Sequence, residues 1–292
     1  MAVVTGTITW WPAPAKLNLF LHVVGRRRDG YHDLQTLFQL IDLCDRIGVM
    51  LLPNGNIERA NGMADVPPER DLAVRAARAL QRHRGNGQGA RLHVIKHIPS
   101  GGGLGGGSSD AATVLLALNS LWQLGLELDE LAEIGLGLGA DVPLFVRGTS
   151  AWGEGRGERL HPMSLPPRWF LVIHPGVAVS TAEIFQAPEL TRNSSLITIR
   201  AAAVDQTRND CEAVVRARYQ VVAAALDWLD AQLRSMGAPA GARLTGTGAC
   251  IFASFEREQD ARQIAQRVPQ KWSSFVARGL DRSPLHVQLA AD

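Results

Sequence analysis

Six glycines lie within residues 101–107, and two serines and an aspartate follow them. Glycine lets successive backbone N–H groups converge on one anion, because no β-carbon restricts the approach. The apolar residues 110–124 predict a buried helix, whose positive end would face the same anion. The sequence therefore predicts a polyphosphate site, where Ser108, Ser109 or Asp110 could cap the helix or contact a phosphate.

Three other interpretations of this glycine segment are weaker. A loop of the Walker A type needs a lysine where Ser108 stands. Residues 101–106 fit the glycine spacing of a dinucleotide-binding loop, but the acids about 20 positions on, Asp129 and Glu130, begin a predicted helix instead of ending a strand. A flexible linker would lie between domains, whereas this segment joins a predicted strand, residues 90–98, to a core helix.

Lys16 and Asn18 lie in a strand-like segment, residues 16–24, whose other face is entirely apolar. Period-two alternation puts both side chains on one face, where they would enter the same pocket. A lysine on such a strand loses hydration unless an anion pairs with it. The spacing alone leaves a catalytic or substrate contact and a solvated edge lysine equally open, and Asn18 could be a strand-edge amide.

Asp141 stands at a bend, between Ala140 and the Val-Pro pair that follows, and could be either an active-site acid or a turn cap. Tyr31 and His32 follow a charged turn. Their ring faces and directional hydrogen bonds suit a pyrimidine base, although simple packing would also explain them. Residues 245–248 predict a second glycine-rich turn that enters a strand.

Strand-like and helix-like segments do not alternate strictly, which favours an α+β fold over a doubly wound sheet. Further strands are predicted at residues 34–43, 45–52, 169–174 and 285–289, and further helices at residues 71–83, 129–134, 211–236 and 258–267. Glycines and prolines in residues 153–167 predict a surface passage between two halves of the chain. We therefore expect a domain boundary between residues 160 and 161.

The composition limits the partners of the chain. Thirty basic and 28 acidic side chains in 292 residues give a net charge of +2, which provides no field for nonspecific capture of nucleic acid or an anionic membrane. Three separated cysteines support neither a disulfide framework nor a zinc site and fit a reducing compartment. The sequence contains no run of about 18 apolar residues and therefore predicts no membrane helix. We expect a cytoplasmic protein without nucleic-acid or membrane partners.

The segment from Pro99 to Ala112, with the sequence PSGGGLGGGSSDAA, resembles the phosphate loop of the GHMP small-molecule kinases. Other segments are similar to the members of this family that act on 4-diphosphocytidyl-2-C-methyl-D-erythritol, in the same order along nearly the whole chain. These segments are residues 14–21, 28–32, 139–143, 209–212 and 245–250. The resemblance implies a two-domain α+β GHMP kinase fold, with an ATP-binding domain at residues 1–160, a substrate-side domain at residues 161–292 and the active site in the cleft between them.

The resemblance also implies an activity, which is transfer of the γ-phosphoryl group of ATP, with Mg²⁺, to the 2-hydroxyl of that substrate in the non-mevalonate isoprenoid pathway. It makes Asp141 the catalytic base and Lys16 the electrostatic activator. It implies ATP contacts from Lys96, Pro99, Gly101, Gly102, Gly103, Leu104, Gly105, Gly106, Gly107, Ser108 and Ser109. It implies substrate contacts from Asn18, Tyr31, His32, Thr181 and Phe185, with the aromatic rings holding the cytidine end. It assigns no Mg²⁺ ligand.

Two alternatives remain open. A kinase of the same family with another acceptor alcohol, such as mevalonate or homoserine, would share the phosphate loop. A nucleotide-binding regulator without catalysis would share the fold, although the presence of both Lys16 and Asp141 argues against it. Because no coiled-coil heptads are present, we expect a monomer or a weak homodimer.

Overall fold

The computed structural model describes residues 6–61, 66–84, 87–198, 207–238 and 240–290. Its frame is a hairpin of two long antiparallel strands, β1 (Thr9–Arg26) and β2 (His32–Leu52). The two strands predicted at residues 34–43 and 45–52 are one continuous strand. Pro14 pairs with Cys44 and Ala15 with Ile41, so two residues of β2 are left without a partner in β1 at this point. This irregularity is a bulge, and the strand continues through it.

One mixed sheet runs through both halves of the chain. Its other strands are β3 (Ile57–Arg59), β4 (Gly89–Ile95), β5 (Ala151–Gly155), β6 (Arg159–Pro162), β7 (Trp169–His174), β8 (Arg243–Leu244), β9 (Ile251–Phe255) and β10 (Ser273–Leu280). The order is β3-β4-β2-β10-β7-β9-β8, with β1 and β5 also paired to β2 and β6 paired to β5. The strand β10, which the sequence analysis did not predict, pairs with β7 and with β2 and so connects the two halves.

The glycine-rich residues 153–157 belong to the β5–β6 hairpin, which lies against β2. These residues are therefore not part of the predicted surface passage, whereas residues 163–168 do form an irregular, partly exposed connection between β6 and β7. Gly153 is buried, and a β-carbon there would lie 2.5 Å from the Phe38 ring, so glycine is needed for close packing. The expected domain boundary between residues 160 and 161 falls inside β6 and stays a prediction.

Helices cover the sheet in two groups. They are α1 (Leu72–Arg84), α2 (Gly106–Leu121), α3 (Leu128–Leu136), α4 (Val142–Arg147), α5 (Thr181–Gln186), α6 (Glu212–Arg218), α7 (Gln220–Ser235), α8 (Glu258–Ala265) and α9 (Pro284–Leu289). The first four pack with β2 and β4 around one core, and α5 to α8 pack with β7 and β9 around a second. The predicted central helix is α2, buried over residues 109–118. The predicted α+β fold is confirmed.

Two predicted elements are wrong. Residues 285–289 form α9 instead of a strand, because Pro284 starts the helix and Ser283 Oγ accepts the Leu285 N–H at 3.3 Å. The long helix predicted at residues 211–236 is divided into α6 and α7 at Tyr219, whose backbone leaves the helical region at φ −123° and ψ 82°. Among the described residues, every helix is too short or too polar to traverse a bilayer.

Candidate active site

A cleft of about 580 Å³ opens where the β1–β2 hairpin, the glycine loop and the turn at residues 245–248 meet. The predicted site residues on its wall are Lys16, Asn18, Lys96, Pro99, the loop residues from Gly101 to Ser108, Asp141, Thr181 and Phe185. Ser109 is fully buried inside α2 and does not line the cleft. Tyr31 and His32 also lie off the wall, although His32 contacts Phe185.

The glycine loop is shaped by alternating left-handed residues. Gly101, Gly103 and Gly105 have φ values of 67°, 76° and 73°, which residues with a β-carbon rarely adopt. The loop is also held to the second half of the chain. Gly101 O and Gly102 O accept hydrogen bonds from the backbone N–H groups of Ala249 and Cys250 at 3.2 and 3.0 Å. The loop is therefore fixed in one conformation from both sides of the cleft.

The helix α2 begins at Gly106, four residues earlier than predicted, with Gly105 as its N-cap. Ser108, Ser109 and Asp110 consequently lie within the first turns of the helix and do not cap it, contrary to the expectation from the sequence. The first intrahelical hydrogen bond at this end runs from Ser109 N–H to Gly105 O at 2.9 Å. Gly106, Gly107 and Ser108 precede it and line the cleft, and their N–H groups, which have no acceptor within the helix, are available to bind an anion.

Gly103→Ala tests how tightly this loop is constrained. A β-carbon at Gly103 would lie 2.3 Å from Thr245 O, and the left-handed backbone adds strain. We expect the free energy of unfolding in urea to fall by roughly 2–5 kcal/mol. Gly107→Ala is the matched control, because its β-carbon would meet only Leu72 Cδ1, at 3.5 Å, and helical alanine is favourable. Equal stability of the two variants would contradict the constraint.

Lys16 is only 4% exposed, which excludes the solvated edge lysine that the sequence left open. Its Nζ donates to Asn18 Oδ1 at 2.5 Å and lies 3.5 Å from Asp141 Oδ2. Its backbone N–H donates to Leu104 O at 3.0 Å, which joins β1 to the glycine loop. A buried ammonium group beside one partly exposed carboxylate favours additional negative charge in the cleft.

Asn18 is held in one orientation. Its Nδ2 donates to Thr36 Oγ1 at 2.8 Å, and its backbone N–H donates to Thr245 Oγ1 at 2.9 Å. Its Oδ1 therefore faces Lys16, so Asn18 is part of the site and not an edge amide. Thr36 could not be predicted from the sequence, because it lies in no motif. The available signal was its place on β2, the strand that pairs with β1.

Asp141 immediately precedes α4, as the turn-cap interpretation required, but its side chain makes no capping hydrogen bond within the described structure. Its side chain is 33% exposed and is paired with Lys16. A carboxylate that is oriented by an ammonium group and open to the cleft can accept a proton from a bound hydroxyl or contact a cation.

Lys96 differs from Lys16 in its surroundings. Its Nζ contacts Asp45 Oδ2 and lies 2.7 Å from Asp110 Oδ2, and both carboxylates are buried. Burial lowers the pKa of Lys96, but the charges of Asp110 and Asp45 outweigh it and leave that pKa above its ordinary value. Burial raises the pKa of the Asp110 carboxyl. Because two acids already compensate its charge, Lys96 offers less to a phosphate than Lys16 does.

The predicted substrate-binding rings make two contacts, one between two rings and one between a ring and an arginine. His32 stacks on Phe185 with centroids 5.2 Å apart and planes 24° apart. Tyr31 is 56% exposed, and the Arg156 guanidinium lies 5.0 Å from its ring centroid. Thr181 begins α5, and its Oγ1 is 3.0 Å from Thr247 Oγ1. Phe185, Thr181 and Arg156 line the cleft, so the rings of His32 and Tyr31, which contact Phe185 and Arg156, lie next to its wall at this end.

Two polar residues outside the cleft support its second wall. Asn209 Nδ2 donates to Leu244 O at 2.9 Å and to Gly246 O at 2.7 Å, which fixes the glycine-rich turn. Asp210 Oδ2 accepts the backbone N–H of Val23 at 2.8 Å and so joins this segment to β1. Both residues lie in the segment 209–212, and the sequence alone indicates no role for either of them.

Metal binding by the protein alone is not supported where the structure is described, since no group of three or more His, Cys, Asp or Glu side chains could hold an ion. Mg²⁺ in phosphoryl-transfer sites usually takes one or two carboxylates and completes its shell with phosphates and water. Asp141 and the Ser108 hydroxyl, both on the cleft wall, fit that smaller requirement.

Comparison with known proteins gives consistent matches over the chain. Residues 71–149 match the model described as GHMP kinases N terminal domain, and residues 188–274 match GHMP kinases C terminal. A 4-diphosphocytidyl-2-C-methyl-D-erythritol kinase from Halorhodospira halophila is 56% identical over 283 residues, which cover 96% of each chain. The enzyme of the same name from Alkalilimnicola ehrlichii is 56% identical over 94% of this chain and 92% of its own.

Solved structures agree with these matches. A crystal structure of 4-(cytidine 5'-diphospho)-2C-methyl-D-erythritol kinase matches with a TM-score of 0.78 and 33% identity, over 93% of this chain and 99% of that chain. A homoserine kinase from Cytophaga hutchinsonii matches with a TM-score of 0.71 over 97% of this chain and 98% of its own. At 17% identity, the second likeness concerns the fold alone.

Proposed function

The chain belongs to the GHMP kinase family and, within it, to the 4-diphosphocytidyl-2-C-methyl-D-erythritol kinases, and on this premise we propose that it phosphorylates the 2-hydroxyl of that compound with ATP. The product would be a phosphorylated intermediate of the non-mevalonate isoprenoid pathway. The observation that carries the proposal is the 3.5 Å pairing of Lys16 Nζ with Asp141 Oδ2 in a cleft that the glycine loop also lines.

In this proposal Asp141 accepts the proton of the 2-hydroxyl while the hydroxyl oxygen attacks the γ-phosphorus. The bond between the γ-phosphorus and the β,γ-bridging oxygen breaks, and ADP leaves with the electron pair. The partly exposed position of Asp141 and its pairing with Lys16 support this role, because the carboxylate is both oriented and reachable.

Charge stabilisation would come from Lys16 and from the backbone N–H groups at the start of α2. Phosphoryl transfer depends mainly on positioning and on neutralising charge, and buried donors act more strongly than exposed ones. The 4% exposure of Lys16 supports this assignment. Mg²⁺ bound to the ATP phosphates would neutralise part of their charge, and the Ser108 hydroxyl would help to hold it, which leaves the Asp141 carboxylate free to act as the base.

The cytidine end of the substrate would lie at the aromatic end of the cleft. Phe185 and Tyr31 offer ring faces for stacking, and His32 offers a directional hydrogen bond. Asn18 and Thr181 would contact the acceptor alcohol and the adjoining diphosphate. The His32–Phe185 stack supports this assignment because it brings the two halves of the chain together at one point.

The test is a comparison of ADP release with ATP and several acceptor alcohols. We expect 4-diphosphocytidyl-2-C-methyl-D-erythritol to exceed mevalonate and homoserine by roughly 100-fold or more in kcat/KM. Turnover with mevalonate or homoserine, and none with the cytidylyl compound, would show that the acceptor is a different alcohol. Binding of ATP without ADP release from any alcohol would favour a nucleotide-binding regulator.

The remaining expectations stay predictions. They are the cytoplasmic location and the state of monomer or weak homodimer. Sedimentation at several protein concentrations measures the oligomeric state directly.

A further inference from the structure

Asp45 is a fully buried acid of β2 that no step of the proposed mechanism uses. It lies where the pairing of β2 with β4 ends, since Arg46 and Ile95 are the last paired residues at this end. Beyond that pair, its carboxylate takes the place of the strand hydrogen bonds. Oδ1 accepts the backbone N–H groups of His97 at 2.6 Å and Ile98 at 2.8 Å. Asp45 therefore holds the segment that leads into the glycine loop.

The other carboxylate oxygen of Asp45 contacts the Lys96 ammonium group, which is itself 2.7 Å from Asp110 Oδ2. Lys96 precedes the glycine loop, whereas Asp110 follows it on α2. One ammonium group therefore ties both ends of the loop to each other and to β2. We refer to Asp45, Lys96 and Asp110 as the loop clamp.

The loop clamp lies directly beside the start of α2. A β-carbon at Gly106 would lie 3.3 Å from Lys96 Nζ and 3.0 Å from Ile98 Cγ2, so both of these residues pack against Gly106. Gly106 is the first residue of α2 and lines the cleft, and its N–H group has no acceptor within the helix. The position of the anion-binding N–H groups therefore depends on the segment that Asp45 holds.

We propose that Asp45 is a positioning residue that keeps the glycine loop in the conformation that binds the phosphates of ATP. The inference rests on the proposed function only in taking ATP as the ligand of the loop. Backbone N–H groups bind one anion together only where they converge on it. A loop that also adopts other conformations binds more weakly, in proportion to the fraction that is competent. Asp45 acts through the loop and not by touching ATP, because its side chain is fully buried.

A direct role for Lys96 would give the opposite result. If the main function of Lys96 were to offer its charge to the phosphates, Asp45 would compete with ATP for the ammonium group, and removal of the Asp45 carboxylate would tighten ATP binding. If Asp45 positions the loop, its removal weakens ATP binding. The sign of the change in affinity therefore distinguishes the two roles.

Calorimetric binding of a non-hydrolysable ATP analogue, with Mg²⁺, to the full chain tests the proposal. In Asp45→Asn the amide nitrogen faces either the Lys96 ammonium group or the N–H groups of His97 and Ile98, so one contact is lost whichever way the amide turns. We expect Kd to rise about threefold to tenfold in Asp45→Asn, and roughly tenfold or more in Asp45→Ala, which loses both contacts.

Asp45→Asn decides the test even if Asp45→Ala does not fold. An unchanged or lower Kd in Asp45→Asn would overturn the proposal. Failure of the unsubstituted protein to bind the analogue would also overturn it, because the loop would then not be an ATP site.

Asp210→Asn is the matched control. Asp210 is also a fully buried acid, which accepts the backbone N–H of Val23 at 2.8 Å and pairs with Arg208 at 2.8 Å, but it lies in the second half of the chain. We expect this control to lose stability while its Kd for the analogue stays within about twofold of the unsubstituted protein. An equal rise of Kd in Asp210→Asn and Asp45→Asn would mean that Asp45 supports only the fold, and the proposal would fail.

Steady-state kinetics separate positioning of the loop from a general loss of structure. In Asp45→Asn the KM for ATP should rise in proportion to the Kd of the analogue. The KM for the acceptor alcohol, and kcat at saturating ATP, should change by less than about threefold, since only binding at the loop is weakened. Equal rises of both KM values would contradict the proposal.

Hydrogen exchange reports the loop conformation directly. The backbone N–H groups of Ser109, Ala249 and Cys250 donate to the carbonyl groups of Gly105, Gly101 and Gly102. In Asp45→Asn without nucleotide these three amides should exchange faster, and the bound analogue should slow them again. Faster exchange spread evenly over the chain would indicate a loss of global stability and would contradict a role confined to the loop.

These outcomes separate the inference from the proposed function. If Asp45→Asn weakens binding of the analogue but the cytidylyl compound is not phosphorylated, the proposed function fails and the inference stands. If the cytidylyl compound is phosphorylated and Asp45→Asn binds the analogue normally, the kinase activity stands and the inference fails.

Discussion

Lys16→Met is expected to lower kcat by about 10²- to 10³-fold, the largest loss of any single substitution considered for this chain. Methionine keeps the length and apolar stem of the side chain but removes the ammonium group. The reason for the size of the effect is the burial of Lys16, because a charge at 4% exposure acts on the transferred phosphoryl group with little screening by water. Single-turnover phosphoryl transfer measures the loss.

Two controls accompany Lys16→Met, which are its affinity for ATP and the activity of Lys16→Arg. The affinity for ATP should change much less than kcat, because the backbone N–H groups at the start of α2 remain. Lys16→Arg should not rescue activity, since Lys16 Cε lies 3.2 Å from the β-carbon position at Gly105 and Nζ lies 5.5 Å from the Phe38 ring centroid, which leaves little room for a guanidinium. A loss in Lys16→Met of less than roughly tenfold would contradict the role of Lys16 in the transition state.

The parts of the site that the sequence predicted are those whose chemistry is local. Six glycines before an apolar helix indicate an anion site whatever lies around them, and the strand period puts Lys16 and Asn18 on one face. The start of α2 could not be predicted in this way. The pattern of Ser108 to Asp110 is typical of a helix cap, but Gly105 adopts a left-handed conformation at φ 73° and starts the helix earlier.

The interactions that the sequence did not reveal are long-range. Asp45 lies 51 residues before Lys96, and Arg192 lies 160 residues after His32, so no periodicity connects either pair. Local patterns also mislead where two structures share them. Residues 285–289 alternate like a strand, and only the packing of α9 on β1, with Ser283 as cap, decides for a helix.

The contrast between two lysines shows why composition alone could not rank them. Lys16 and Lys96 both line the cleft, and each would suit an anion. Lys96 has two carboxylates within contact distance, whereas Lys16 has one, at 3.5 Å. Lys16 therefore has less of its charge compensated than Lys96 has, and together with the α2 backbone it could serve a polyphosphate site that needs no large net charge on the chain.

Asp141→Asn is expected to lower kcat by about 10²-fold, toward the lower end of the range for general bases, because positioning and charge neutralisation supply more of the rate in phosphoryl transfer. The amide keeps the shape of the side chain but cannot accept the proton. The unfolding temperature should fall, because the buried Lys16 ammonium group loses its paired carboxylate, but only slightly, since Asn18 Oδ1 still accepts from Lys16 Nζ and the Asp141 side chain does not cap α4 in the described structure. Initial rates of ADP release and thermal unfolding measure the two effects.

The double variant Lys16→Met/Asp141→Asn decides whether the two residues act as one unit. Their side chains are 3.5 Å apart, so each single substitution also disturbs the partner. We expect the double variant to lose little more activity than Lys16→Met alone, because groups that act together in one step are not additive. Losses that multiply would mean that Asp141 and Lys16 act independently, and the proton transfer to Asp141 would then not depend on its orientation by the ammonium group.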